Sequence, residues 1–342
     1  MLMTTHTVDR YQPYRPRLQR QILWHATTSQ RSPWRSTTCE RSRMSEVDRH
    51  RVGSDRVKES HRIGKGTPLV TPSTFSIPET KRDQVLMGIR NIAGIIYTTV
   101  GVHPCSCKQF TKTSTSSSIF PAQLKALALA AKESGHCVAF GEIGLDYDRL
   151  ELCPKDIQLE YFAKQLDVAV EVGLPLFLHS RAAHQDFIRL LKERDHGLQK
   201  KGVVHSFTGT KEEMLELVEM GWDIGVNGCS LKTEDNCSVV KEIPLERLQL
   251  ETDGPWCEMR ASHEGTKFLG DYKEEKEVKW VKKEKWVEGA AIKGRNEPCM
   301  IGKVAWAVAG IKGIGVEVVA EAAWRNSAKM FGLSEMVEGQ EL

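Results

Sequence analysis

From residue 95 onward the hydrophobic positions switch between two periods. Short apolar or β-branched runs at residues 95–102, 138–140, 174–179, 202–207, 222–227 and 248–253 read as strands. Between them apolar residues recur three and four apart, as on a helix with one buried stripe. Residues 120–134 carry Leu124, Leu127 and Leu129, and residues 183–194 carry Phe187, Leu190 and Leu191. In residues 154–172 the stripe is Tyr161, Phe162, Leu166 and Val170, with Pro154 suited to the first turn and Gly173 to the stop. Further helices are expected at residues 211–220, 236–242, 300–310 and 316–331. Strands separated by single helices predict an α/β fold with a parallel sheet, most simply a TIM-type (β/α) barrel. Such a barrel has eight strands, and only six units are legible.

The missing units fall where the chain loses its periodicity. Residues 1–80 carry no helical or strand pattern, are frequent in Arg, Ser, Thr and Pro, and hold twice as many basic as acidic side chains. Residues 1–90 are therefore expected to be a divergent, basic, largely disordered segment, with a helix possible at 80–94. Residues 91–335 are expected to form the barrel domain, its first strands missing or replaced. Residues 272–288 are dense in charge and read as a surface excursion, and 112–118 as a Ser/Thr-rich loop.

Composition narrows the function classes only a little. A net charge of +3 over 342 residues does not announce a nucleic-acid partner through bulk charge. No apolar run reaches the length of a bilayer span, so no membrane role is expected. The nine cysteines form no CxxC pair, as expected of free thiols in a reducing compartment, cytoplasmic or nuclear. The Arg-, Ser- and Thr-rich start keeps organelle targeting open.

The chemistry gathers at strand ends. Glu142 follows the 138–140 run, with Asp146 on the turn after it; His179, His205 and Asp253 end three later runs. A carboxylate at the mouth of an apolar strand needs a partner, and a metal ion is one. Strand ends converge on one mouth in a barrel, and a mixed His, Asp and Glu set suits Mg²⁺, Mn²⁺ or Zn²⁺. His103 is a weaker candidate because Pro104 follows it, and His184 and His196 read as surface residues. Arg181 and Lys232 are placed to grip a phosphate. No Walker-type loop and no Gly-x-Ser-x-Gly elbow is present.

In order along the chain, Thr99-Val-Gly-Val-His-Pro104, Gly141-Glu-Ile-Gly-Leu-Asp146, Leu178-His-Ser-Arg181, His205-Ser-Phe-Thr-Gly209, Glu251-Thr-Asp-Gly-Pro255 and Arg295-Asn-Glu-Pro298 resemble the signatures of TatD-type metal-dependent deoxyribonucleases. Asn227-Gly-Cys-Ser-Leu-Lys-Thr-Glu234 and the Trp256-Cys257 pair are similar to the eukaryotic branch of that family. The resemblance implies a metal-dependent hydrolase barrel acting on DNA phosphodiester bonds, probing from the 3′ end as an exonuclease. It implies two divalent ions, Mg²⁺ favoured, held by Glu142, His179, His205 and Asp253, with Glu142 bridging and Asp253 also acting on the attacking water. The family's opening His-x-His strand has no counterpart in residues 1–90. The competing readings are a metal-dependent hydrolase of a small amide or ester, and an inactive form lacking the first barrel strands.

Overall fold

The computed structural model describes residues 4–5, 19–24, 96–111, 114–272 and 279–333. All of them belong to one compact unit. Among these residues one sheet runs in the order β1 (Thr4–Thr5), β2 (Gln19–Trp24), β3 (Ile96–Gly101), β4 (Cys137–Asp146), β5 (Leu176–Arg181), β6 (Gly202–Val204), β7 (Asp223–Val226) and β8 (Leu248–Leu250). From β3 to β8 each strand pairs parallel with the next. The connections carry α1 (Ser114–Glu133), α2 (Lys155–Val172), α3 (His184–Arg194), α4 (Lys211–Glu219) and α5 (Glu234–Glu242), and β8 is followed by α6 (Ile301–Lys312) and α7 (Val316–Phe331). This is the β-then-α progression of a TIM-type barrel.

Period-two alternation sorts the strand residues between two faces. Leu176, Leu178, Val204, Ile224, Val226 and Leu250 pack in the main core with the helices. There Phe162 of α2 stacks on Phe187 of α3 with ring centroids 5.4 Å apart. On the opposite face Ala139, Phe177 and Val203 pack with Phe331 at the end of α7. One step further along this second face come His179, His205, Glu251 and the other polar groups of the strand ends. The core therefore closes at one end of the strands and leaves the chemistry at the other.

Three strands meet unusually closely beneath that mouth. Gly141 and Gly144 have φ of +153° and +148°, a region L side chains rarely adopt. A Cβ on Gly141 would lie 2.2 Å from Phe177 O, and one on Gly144 only 1.8 Å from His179 O. The register between β4 and β5 shifts between Gly141 and Ile143, leaving Glu142 as the extra residue. A bulge of this kind re-aims a side chain, and here the side chain is Glu142.

Several expectations need correction. Glu142 is not at a strand end: β4 continues four residues past it, so Asp146 closes the strand rather than lying on a turn. The glycines that break the apolar run are what let the strand continue, by close approach to β5. Helix α1 begins at Ser114, inside the stretch read as a loop, because local Ser/Thr content says nothing of the helix that packs behind it. Within the segment expected to be disordered, β1 and β2 form strands. β2 pairs antiparallel with β3 from Gln19↔Gly101 to Trp24↔Ile96, and β1 pairs antiparallel with β2. The edge of β3 is thus covered by replacement strands of opposite direction. Beyond β8, two-residue strands β9 (Trp280–Val281) and β10 (Ala291–Ile292) pair in parallel in the charged excursion, too short to leave a periodic signal. The helix expected at 80–94 lies outside the described residues.

Gly144→Ala is expected to cost more than about 3 kcal/mol in urea unfolding, because neither strand backbone can yield. Gly135→Ala, also at positive φ (+74°) but in open space, should cost only about 1–2 kcal/mol.

Candidate metal centre

Glu142 lies at the focus of the polar face and is 2% exposed. Its Oε1 is 2.8 Å from His179 Nδ1, 2.6 Å from His205 Nε2 and 3.5 Å from His103 Nε2. Burial pushes the carboxyl up, but the charges of His205 and His103 and the hydrogen bonds of His179 and His205 outweigh it and hold Glu142 well below the usual carboxylate range. His205 shows the reciprocal effect. Burial pushes its imidazole down, while Glu142 and Glu251 together raise it well above its ordinary value.

His179 links this group to a second one. Its Nε2 is 3.3 Å from Asp146 Oδ2, and its ring stands edge-on to His103 with centroids 4.7 Å apart. Two sets of donors each gather within 4.8 Å: Glu142, His179 and His205, and beside them His103, Asp146 and His179. Burial raises the Asp146 carboxyl, but its hydrogen bond with His179 leads the effects that bring it below its ordinary value. Asp146 also receives the Cys105 thiol at 3.7 Å and Arg149 Nε at 3.7 Å. Its backbone is fixed by Gln158, whose side chain accepts from Asp146 N at 2.7 Å and donates to Asp146 O at 2.8 Å.

The donor chemistry fits divalent cations. Two buried carboxylates and three imidazoles converge from β3, β4, β5 and β6, with the carboxylates already held in their ionised form. Outside the groups, Glu251 orients His205: its Oε2 is 3.5 Å from His205 Nδ1, while Oε1 accepts from Ser206 N and from Asn227 Nδ2. A carboxylate behind a ligand histidine fixes ring orientation and raises basicity. Residues just beyond the strands hold left-handed backbone, with φ of +50° at Ala182 and Ser206 and +53° at Asp253. Such conformations persist where the surrounding structure enforces them.

The sequence-derived candidates divide accordingly. Glu142, His179 and His205 come together as expected. Asp253 is buried at the end of the same face but belongs to neither donor group of the described residues; its Oδ2 accepts the Cys257 thiol at 3.1 Å. Arg181 and Lys232 both act on Cys229, whose Sγ lies 2.9 Å from Cys257 Sγ. That thiol contact leads the effects that bring Cys229 to about 6, while Cys257 is pushed far up. Arg181 Nε is buried without a hydrogen bond. His184 pairs with Glu216 at 2.9 Å on the helical side, away from the centre, as expected of a residue without a site role.

His103, Asp146 and Glu251 carry more of the centre than the sequence assigned to them. For Glu251 the usable signal was its position two residues before Asp253, hence on the same strand face. For Asp146 it was the Gly144 spacing that keeps β4 extended. For His103 the signal was the Thr99–Pro104 motif, left weak because a His-Pro pair also makes a turn.

The comparisons with known proteins agree with this geometry. The family described as TatD related DNase matches residues 45–332. A deoxyribonuclease Tat-D of Schizosaccharomyces pombe is 52% identical over 232 residues, covering 68% of this chain and 73% of the relative. A 3′-5′ ssDNA/RNA exonuclease TatD of Erwinia amylovora is 31% identical, covering 81% of this chain and 92% of the relative. A solved TatD family hydrolase of Entamoeba histolytica superposes with a TM-score of 0.63 at 36% identity, covering 74% of this chain and 80% of the other. With the family matched over residues 45–332 and a relative 52% identical over 68% of the chain, the chain belongs to the TatD related DNase family.

Proposed function

We propose that the protein is a divalent-metal-dependent deoxyribonuclease that hydrolyses DNA phosphodiester bonds, working from the 3′ end as an exonuclease. The observation that carries this reading is the pair of neighbouring donor groups sharing His179 at the mouth of the parallel sheet. Neighbouring cation sites suit an in-line displacement at phosphorus, in which both attacking and leaving oxygens need stabilising. The names of the fungal and bacterial relatives support the substrate and the direction.

Glu142 and His205 would hold one ion and His103 and Asp146 would face the other, with His179 able to ligate one of the two through a single ring nitrogen. When bound, such ions act as Lewis acids toward the phosphate and lower the pKa of water. The protein's own residues do the rest. The imidazoles around Glu142 hold its carboxyl well below the usual range and so favour its charged form, and Glu251 keeps His205 aimed. Asp253, outside the donor groups, accepts the proton of the attacking water. Arg181, whose buried Nε lacks a partner, and Lys232 grip the phosphate flanking the scissile bond. Mg²⁺ favours oxygen donors, whereas three imidazoles suit Mn²⁺ or Zn²⁺ better.

Asp253→Asn should lower kcat by about 10²- to 10⁴-fold while metal affinity stays within a few-fold. Glu142→Gln should abolish both metal binding and cleavage of labelled DNA. Equal loss of metal binding in the two variants would instead make Asp253 a ligand. Mn²⁺ is expected to support faster cleavage than Mg²⁺ at equal concentration.

The proton balance gives a second test. In the metal-free protein His205 is raised and holds a proton near neutral pH that a ligand nitrogen must release; Glu142 is lowered and holds none. Metal affinity should therefore rise with pH by up to about tenfold per unit while His205 is protonated in the metal-free protein, and level off once the pH passes its raised pKa. Calorimetry in two buffers of different ionisation enthalpy should count about one proton released. A flat profile would place the metal away from His205.

A further inference from the structure

Beyond the metal centre, the loop after β8 leads into a cavity of about 500 Å³, within the usual range for small-ligand sites. Cys257 and Asn296 form its near wall. Both touch the centre's own strand end: Cys257 donates to Asp253, and Asn296 Nδ2 donates to Thr252 O at 2.7 Å. Trp280, Met300, Lys293 and Lys303 also line it. One acid, Glu258, also lines it, against two lysines in the lining.

The excursion that supplies Trp280 is the most basic stretch of the described surface beyond β8. Residues 279–295 hold six basic side chains against two acidic ones, a net +4 in a chain whose total is +3. Two tryptophans stand half in solvent: Trp256, next in sequence to the cavity residue Cys257, and Trp286, six residues after Trp280 in the excursion, are each 48% exposed. The Trp286 indole N–H donates to Ala290 O at 2.9 Å, so its ring has a set orientation. Exposed indoles interleaved with lysines are the composition of a single-strand stacking platform, where bases lie on aromatic faces and phosphates on cations. A peptide partner would need acidic groups alone and would leave the indoles unexplained.

Resting on the nuclease reading, we propose that Trp256, the Trp280 cavity and the lysines around it form an extended subsite for the unpaired strand of a nucleic acid whose terminal nucleotide occupies the metal centre. The subsite takes bases without regard to sequence, because it offers stacking and charge rather than edge recognition. It adjoins the strand end at Thr252 and Asp253 without supplying a residue to either donor group, so it governs the affinity for strands that extend past the terminal nucleotide and not the chemistry.

The test is anisotropy with labelled oligo(dT) of three and of twelve residues on the full chain, with Ca²⁺ in place of a catalytic cation to suppress cleavage. The twelve-mer should bind more tightly than the trimer. Trp280→Ala should weaken the twelve-mer by about 5- to 100-fold, as expected for loss of one stacked base, and leave the trimer unchanged. Trp280→Phe should restore most of it, which separates stacking from misfolding. Removing Lys293 and Lys303 together should flatten the salt dependence by about 1.4 in log–log slope, about 0.7 for each phosphate. In Mn²⁺ the same variants should raise KM for the twelve-mer with kcat preserved. Equal binding of both lengths, or a twelve-mer indifferent to all three positions, would overturn the subsite. If the wild-type chain cleaves DNA in that case, the nuclease reading survives alone; if it neither binds nor cleaves any strand, both fall.

Discussion

A carboxylate buried in a protein interior stays ionised only where positive or hydrogen-bonding groups surround it, and Glu142 is the residue around which this mouth is arranged. Three imidazoles from β3, β5 and β6 turn toward one of its oxygens. Each can do so only because the strands carrying them lie close, and the strands lie close only where glycine takes the place of a side chain. Replacing Gly144 would move His179, and moving His179 would part the two donor groups, since that residue belongs to both. Backbone approach, side-chain aim and ligand chemistry are in this sense one constraint. An imidazole set without the carboxylate would repel itself once protonated, and the carboxylate without the imidazoles would protonate or leave the core.

Much of this was legible in sequence because a parallel barrel writes itself twice, once in alternating periods and again in the polar residue that ends each strand. The six parallel strands and the helices between them follow the hydrophobic pattern, with β4 and α1 running six residues beyond it, and Glu142, His179 and His205 follow from their places on it. What was not legible depends on geometry that periodicity cannot carry. β4 runs on to Asp146 through two glycines at positive φ, which break the apolar run that would announce a strand. Glu251 acts through the back of His205, and its role needs the distance between β6 and β8. Asp253 shares the signature of its neighbours, but which donors fall within ligand distance of it depends on the left-handed backbone at its own position and on the Cys257 thiol it accepts, neither of which periodicity carries.

The N-terminal strands illustrate a different limit. An exposed strand edge is a liability, and β3 would present one if nothing lay beside it. Its partner, Gln19–Trp24, has no alternation to mark it, because pairing to an existing edge is driven by backbone hydrogen bonds. The pairing is antiparallel, so β2 runs against the direction that a parallel first strand would take. Among the described residues the second donor group is made by His103 and Asp146 with His179.

The charge distribution follows from what such a centre must receive. Glu142, Asp146, Glu251 and Asp253 concentrate negative charge at the strand ends, and a phosphodiester arriving there is repelled unless cations offset those carboxylates. Bound metal ions do so at the centre itself, but their reach is short in salt, about a Debye length of 8–10 Å. Attraction over a longer strand has to come from the rim. Arg181 and Lys232 lie at the edge of the mouth, and the excursion after β8 adds a net +4 beyond it. A nearly neutral chain can in this way steer a polyanion, because the acids are buried where metals neutralise them and the lysines are left in solvent. Bulk charge read from composition misses this entirely; the sorting of charge between interior and rim is what decides whether nucleic acid is drawn in.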